Sequence, residues 1–207
     1  MNLMDLLQGQ ISDEMLGQLS NHIGATPEQT AQATNGVFAT LIGGLANNAS
    51  TESGLASLGS ALDRDHDGSI IDDIFGMVGG MMQDGPTQSK ATNGSGILGH
   101  ILGDRQEVAA QQIGQSSGLN ASQIMKLMPI LAPIVMGMLG KAKNSGGLDL
   151  GGLSSILTGS AQHAQQQSGM GDLIGSVLGQ VLGGSQAKSS QQGGGLLGGL
   201  LGGIFGK

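Results

Sequence analysis

An acidic stretch at residues 63–73 contains the residues whose types and spacing could do chemistry. It carries aspartates at its first, third and fifth positions, a glycine at its sixth, and a residue that offers a backbone carbonyl at its seventh. Oxygen ligands in this order, around a glycine that allows a sharp turn, are typical of EF-hand loops that bind calcium. The sequence therefore predicts a calcium site. Its candidate ligands are the side chains of Asp63, Asp65 and Asp67, the carbonyl of Ser69, and a late carboxylate from Asp72 or Asp73.

The same stretch departs from the EF-hand pattern at its end. The twelfth position, where a bidentate glutamate closes the calcium shell, is Ile74, and the ninth position is Ile71. We therefore expect weaker or altered coordination, and calcium is favoured over magnesium only because the loop offers many flexible oxygen ligands. The alternative interpretation is a solvated acidic turn in which Asp73 caps the helix that follows.

The chain also repeats its own apolar pattern at an offset of 94 residues. This offset pairs Leu3 with Ile97, Leu7 with Ile101, Gly24 with Gly118 and Gln29 with Gln123, and after one inserted residue it pairs Leu55, Leu58 and Leu62 with Leu150, Leu153 and Leu157. Chance alignment in a chain rich in leucine and glycine is the alternative, but the long gapless run and the coincident glycines favour a duplication. The stretch that matches the acidic loop, 158–169, has no carboxylate, so the repeat does not need those aspartates in order to fold.

The first half of the chain has the pattern of consecutive α-helices. Apolar residues follow the 3.6-residue helical period over 12–22, and Gly24 then fits a helix stop. Thr26 and Gln29 have the types and spacing of a capping box, which predicts the start of the next helix. No segment shows the alternation expected of a strand.

The second half repeats these signals. Asn120 and Gln123 stand where the first half has its capping box. The segment 123–141 that follows is apolar nearly all round, which predicts a helix buried at the centre of the fold. Pro129 and Pro133 predict a break or a kink in that helix.

These patterns predict an all-α fold in which two tandem helical repeats form a bundle. We expect the first repeat at residues 1–82 and the second at 97–182, joined by a polar, turn-rich linker at 83–96. A low-complexity Gly/Leu-rich tail at 183–207, predicted to be flexible, completes the chain.

Composition and charge exclude several classes of function. The chain has 15 acidic against 8 basic residues, a net charge of −7, and neither Trp nor Tyr, so it lacks the basic surface and the stacking platforms of nucleic-acid-binding proteins. The absence of cysteine excludes disulfides and thiolate metal sites. The first residues lack the basic and apolar regions of a signal peptide, so we expect a cytoplasmic protein.

One short segment of the chain resembles a hydrolase motif. Residues 114–118 match G-x-S-x-G around Ser116, but a nucleophile elbow needs a strand before the serine, and a helix is predicted there. The chain offers no nucleophile–base pair and no phosphate-binding loop, so we expect a non-enzymatic protein, with a hydrolase as the least favoured alternative.

Two hypotheses for function follow. The first is an interaction or structural module, stabilised by calcium, that binds a protein partner. The second is a metal-independent protein that forms homo-oligomers, or docks on a membrane surface, through its Gly/Leu-rich segments. The apolar side chains of the tail are Leu196, Leu197, Leu200, Leu201 and Phe205. An exposed apolar strip of this kind usually marks a contact.

The residues also resemble a known family. The opening MNLMDLLQGQISDEMLGQLSNHIG, the TPEQ helix start, the ALDRDHDGSIIDDI loop and the Gly/Leu-rich tail are together similar to the bacterial family known as domain of unknown function 937, to which YidB-like proteins are related. The resemblance covers roughly residues 1–180. It implies a mainly helical fold and a bacterial source, and it brings no activity, substrate or partner.

Overall fold

The computed structural model describes residues 3–65, 93–147 and 149–166. Within these residues all regular structure is helical and no strand is present, so the all-α prediction is confirmed. The helices are α1 (Leu3–Gln10), α2 (Asp13–Ile23), α3 (Pro27–Asn48), α4 (Glu52–Asp65), α5 (Gly94–Leu102), α6 (Gln106–Ser117), α7 (Ala121–Gly146) and α8 (Leu150–Gln166), with a 3₁₀ turn at Gly103–Arg105 between α5 and α6.

In the first half of the chain, the helix ends lie where the sequence predicts them. The Ser12 hydroxyl accepts a hydrogen bond from the Met15 backbone N–H at 3.2 Å and caps α2. Gly24 ends α2 with φ of 67°, a left-handed conformation that glycine adopts without steric cost. Thr26 and Gln29 form the predicted capping box at the start of α3. These local signals were sufficient to predict the helix ends because each one acts within a few residues of the chain.

The helix α7 is long, apolar and central. It begins at a capping box formed by Asn120 and Gln123, as predicted. The predicted break is absent, because α7 continues through Pro129 and Pro133 to Gly146. An interior proline costs about 3 kcal/mol or more, but all residues from 130 to 140 are buried, and packing on all sides of the helix holds it together.

Burial also accounts for the hydropathy of α7. By length and composition it is the helix, among the described residues, that could cross a membrane, with a mean hydropathy of 1.5 over 18 residues. Within the protein 78% of that window is buried. Its apolar side chains therefore pack in the core of this fold.

The two halves of the chain share one hydrophobic core. The central helices α3 and α7 pack against each other, and α3 also contacts α6 and α8 of the second half. Reciprocally, α1 and α2 of the first half contact α7. The buried cluster accordingly runs without division from Leu3 and Phe38 to Leu131 and Leu157. The core of the described residues is therefore built from side chains of both halves.

The start of α5 differs from the predicted linker boundary. The linker was expected to extend to residue 96, but α5 begins at Gly94, with the Asn93 side chain accepting a hydrogen bond from the Gly96 N–H at 3.0 Å. A side-chain carbon added at Gly94 would lie 1.7 Å from the Pro129 carbonyl oxygen. Glycine is therefore needed at position 94 for close packing of α5 against α7. From the sequence, this glycine was interpreted as part of a turn-rich linker.

Candidate functional site

A cleft of about 930 Å³ opens between α4 and α5. Small and polar side chains of α4, including Ser53, Ser57 and Ala61, form one wall. Side chains of α5, including Ile97 and His100, form the other. Leu45 of α3 and Met136 of α7 also line it. The described residues thus combine apolar side chains with hydroxyl-bearing ones in one concave surface.

Three contacts give the cleft its shape. At one corner, the Asn48 side-chain amide donates to the His100 carbonyl oxygen at 2.9 Å, which holds the start of α4 near the end of α5. Away from this corner, α5 begins against Pro129 of α7. Near its other end, α4 is held to α7 by an ion pair between Asp63 and Lys143.

The two walls therefore diverge from their common corner. Pro129 and Lys143 are 14 residues apart in α7, which corresponds to about 21 Å along a helix. Met136 lies midway between these two anchoring points and lines the cleft. We call this surface, bounded by α4, α5 and the middle of α7, the V-shaped cleft.

The acidic stretch adjoins the end of α4. Asp63 lies in the last turn of α4, and its carboxylate accepts a hydrogen bond from the Lys143 ammonium group. Its side chain is 60% exposed and that of Lys143 is 14% exposed. The first of the predicted calcium ligands is thus on the surface and paired with a cation.

The other predicted ligands are not brought together within the described residues. Asp65 is the last residue of α4. Asp67, Ser69, Asp72 and Asp73 lie outside the described residues, as does the Gly/Leu-rich tail. In the part of the chain that the structure describes, no group of three or more His, Cys, Asp or Glu side chains could hold a metal ion. Calcium binding therefore stays a prediction.

The G-x-S-x-G match lies within a helix. Ser116 is near the end of α6, and its hydroxyl donates to the Ile113 carbonyl oxygen at 2.8 Å. The adjacent Ser117 hydroxyl donates to the same carbonyl. Because a helix precedes Ser116 and its hydroxyl bonds to that helix, the motif does not build a nucleophile elbow.

Sequence analysis missed the V-shaped cleft because a cleft is made by distant segments. Its walls come from residues about 40 positions apart, and no motif links them. One signal was present in the repeat pattern. The offset of 94 pairs His100 with Leu6, and the offset of 95 after the inserted residue pairs Ala61 with Ile156. Under the predicted repeat, a small or polar residue on each of the two facing walls is paired with a large aliphatic one elsewhere in the chain.

Comparison with known proteins gives a family without an activity. The family model described as bacterial protein of unknown function (DUF937) matches residues 5–142, which is two thirds of the chain. This confirms the family resemblance, over a shorter range than the sequence predicted. The match extends from α1 into α7 and so includes helices from both halves. No curated protein and no solved structure matches the chain.

Proposed function

We propose that this chain, which belongs to the DUF937 family of bacterial proteins of unknown function, is a non-enzymatic helical interaction module that binds its ligand in the V-shaped cleft. The observation that carries the proposal is the cleft itself. Binding sites are typically concave, about 300–1,000 Å³ in volume, and mostly apolar with a few polar groups that set orientation. The V-shaped cleft, at about 930 Å³, is within this range.

The chemistry of the walls supports binding rather than catalysis. Ile97, Ile101 and Met136 offer apolar contact, and the hydroxyls of Ser53 and Ser57 can donate and accept hydrogen bonds. Arg64 and His100 are the ionisable side chains that the described residues contribute to the cleft, and no carboxylate accompanies them there. This set suits a ligand with an aliphatic group and a polar backbone, and it lacks an acid–base pair.

The test is a titration of short leucine-containing peptides into protein labelled with ¹³C at its methionine methyl groups. Met136 lines the cleft, whereas Met125, 38% exposed near the start of α7, is a matched control on the same helix. We expect the Met136 signal to shift saturably and that of Met125 to stay in place. Equal shifts at both methionines, or none at either, would count against the cleft as a binding surface.

A second candidate function is calcium binding by the acidic stretch. The observation that favours it is the position of Asp63, whose exposed carboxylate stands at the helix end from which the predicted loop departs. The first ligand of an EF-hand loop occupies a comparable position, and calcium accepts six to eight oxygen ligands. Lys143 would compete with calcium for the Asp63 carboxylate.

Calorimetric titration of chelator-treated protein tests this second function. Saturable heat is expected in the wild type and is expected to vanish in an Asp65→Ala, Asp67→Ala variant. An Asp13→Asn, Glu14→Gln variant changes the net charge equally, outside the acidic stretch, and should behave as the wild type. Equal loss of heat in both variants would indicate nonspecific attraction of the cation to an acidic protein.

We also propose that the two halves of the chain are copies of one helical repeat, as the sequence predicts. The order of helices supports it, since the starts of α1 to α4 recur in α5 to α8 after 91, 93, 94 and 98 residues, close to the predicted offset. The left-handed glycines that end α2 and α6, Gly24 and Gly118, support it as well. So do the two capping boxes, one at the start of α3 and one at the start of α7.

Reciprocal contacts between the halves give further support. The Gln29 side-chain amide donates to the Gly118 carbonyl oxygen at 3.1 Å. At the paired positions, the Gln123 amide donates to the Ile23 carbonyl oxygen at 3.0 Å and to that of Gly24 at 3.3 Å. An exchange of this form is expected when two copies of one motif pack around an approximate two-fold axis.

A further inference from the structure

We call the helix pair α4 and α5, which borders the V-shaped cleft, the open half of the molecule, and the helix pair α1 and α8 the closed half. Under the predicted offset, α8 corresponds to α4 and α1 corresponds to α5. The helices α1 and α8 contact each other directly. The Leu3 backbone N–H donates to the Ser160 hydroxyl at 3.2 Å in a buried hydrogen bond. Two helix pairs that correspond in sequence thus differ in whether the space between them is filled.

Two side chains differ in type between these helix pairs. In the closed half, Leu6 of α1 and Ile156 of α8 are partly buried and pack against the core. The residues paired with them in the open half are His100, which is exposed, and Ala61. The V-shaped cleft therefore lacks two large aliphatic side chains that its counterpart has.

The core residues beneath the cleft are correspondingly less covered. Exposure is 8% for Leu58, Ile97 and Ile101, against 0% for Leu153, 1% for Leu3 and 0% for Leu7 at the paired positions. These three residues belong to the buried core and are slightly more exposed than their counterparts, whereas Leu150 of α8 is 42% exposed and its counterpart Leu55 is partly buried. Aliphatic side chains such as those of Leu6 and Ile156 are the groups that would cover the three residues further.

We propose that the missing aliphatic side chains are supplied by this chain's own Gly/Leu-rich segment, residues 193–207, docking in the V-shaped cleft of the same molecule. This proposal rests on the cleft being a binding surface, as proposed above. The segment alternates leucine pairs, Leu196–Leu197 and Leu200–Leu201, with glycine pairs. Glycine allows close approach of backbones, and the α4 wall presents the small side chains of Ser57 and Ala61 to such an approach.

The connecting chain is long enough for this contact. Residues 167–192 separate the end of α8 from the segment. These 26 residues can span up to roughly 85 Å when extended. A compact fold of about 150 residues is only roughly 40 Å across. The segment can therefore reach the cleft from any point on the surface, and its local concentration there is that of an intramolecular ligand.

The absence of cysteine from the natural chain provides a direct test in the full-length protein. A Ser57→Cys variant places a single thiol on the α4 wall, and Ser122→Cys places one on an exposed position outside the cleft as a control. The rate of maleimide alkylation then reports how well each position is covered. Replacing Leu196, Leu197, Leu200 and Leu201 by Ser should raise the rate at position 57 by about tenfold, if the uncovered state is populated to about 10% beforehand. The rate at position 122 should not change.

Other outcomes overturn the proposal in distinguishable ways. If position 57 reacts as fast as position 122 before the tail is changed, the cleft is open, the tail is not its occupant, and the proposed function stands. If position 57 stays slow after the tail is changed, another part of the chain covers the cleft. That result overturns docking of the tail, while the peptide titration at Met136 decides the proposed function separately. A rate that rises on dilution would assign the segment to a second copy and overturn docking within one molecule.

A second measurement guards against an effect on folding. An Ala61→Ile, His100→Leu variant recreates the aliphatic pair of the closed half and should exclude the segment. A thiol introduced at Gly206 should then react faster than in the otherwise unchanged chain. An unchanged rate at position 206 would contradict docking, whatever the result at position 57.

Discussion

At the residue scale, Lys143 connects the fold to the predicted calcium site. Its ammonium group is paired with Asp63, the first predicted ligand. Because the Asp63 carboxylate is largely exposed, water screens this ion pair, and an ion pair at the surface contributes only about 0–1 kcal/mol, so its removal should alter stability little. If Asp63 is a calcium ligand, however, removing its competing cation should strengthen calcium binding.

We therefore predict that Lys143→Gln raises the affinity for calcium severalfold in a calorimetric titration. Lys126→Gln, an exposed lysine on the same helix, removes the same charge far from Asp63 and should have a much smaller effect. Equal effects of the two variants would mean that only net charge matters and that Asp63 is not a ligand.

A buried hydroxyl gives a second prediction at this scale. Among the described residues, the Thr34 hydroxyl is buried without a hydrogen-bond partner, whereas the Thr40 hydroxyl donates to the Gly36 carbonyl oxygen at 2.8 Å. A buried polar group without a partner costs about 1–3 kcal/mol. Thr34→Val should therefore leave the free energy of unfolding unchanged or raise it, and Thr40→Val should lower it. Urea denaturation followed by circular dichroism measures both, and the opposite order would contradict the hydrogen bonding described here.

At the element scale, the position of α5 depends on Gly94. Pro133 has no N–H, so the Pro129 carbonyl oxygen lacks its usual partner in the helix, and the start of α5 packs against this oxygen. A side chain at position 94 would force α5 away from α7, while Gly99 in the same helix has open space around it.

Gly94→Ala should therefore destabilise the protein, and Gly99→Ala should stabilise it by up to about 1 kcal/mol through helix propensity. Thermal unfolding of the two variants beside the wild type provides the measurement. Stabilisation by both substitutions would show that α5 does not lie in close contact with Pro129.

Helix ends could be predicted from the sequence, but the consequences of packing could not. Ser12, Thr26 and Asn120 cap helices through bonds to residues within three positions, so local spacing determined them. The continuity of α7 through Pro133 depends instead on burial by other helices, which local spacing does not contain. The same limit applies to the candidate site, because Asn48 and His100 meet only when α3 and α5 are packed together.

At the scale of the whole molecule, the shared core predicts that the two halves unfold together. Buried side chains from both halves form one cluster, so loss of either half would expose the core of the other. Met15 in α2 and Met128 in α7 are both buried and report on different halves. Their methyl signals should be lost at the same urea concentration. Two separate midpoints would show that the halves are independently stable domains.

The offset of 94 residues also illustrates what sequence comparison within one chain can and cannot give. It predicts equivalent positions, and it pairs Leu6 of α1 with His100 of α5. It does not indicate that these positions face α8 and α4, since that follows from how the helices pack across the halves.

The most direct test of the V-shaped cleft as the binding surface is a comparison of two titrations. A leucine-containing peptide is added to methyl-labelled wild-type protein and to the Ala61→Ile, His100→Leu variant, and the Met136 signal is followed in each. We predict a saturable shift in the wild type and a much weaker one in the variant, whose added aliphatic side chains cover part of the apolar surface that the peptide would contact. An equal shift in both proteins would contradict the account, because binding would then occur elsewhere.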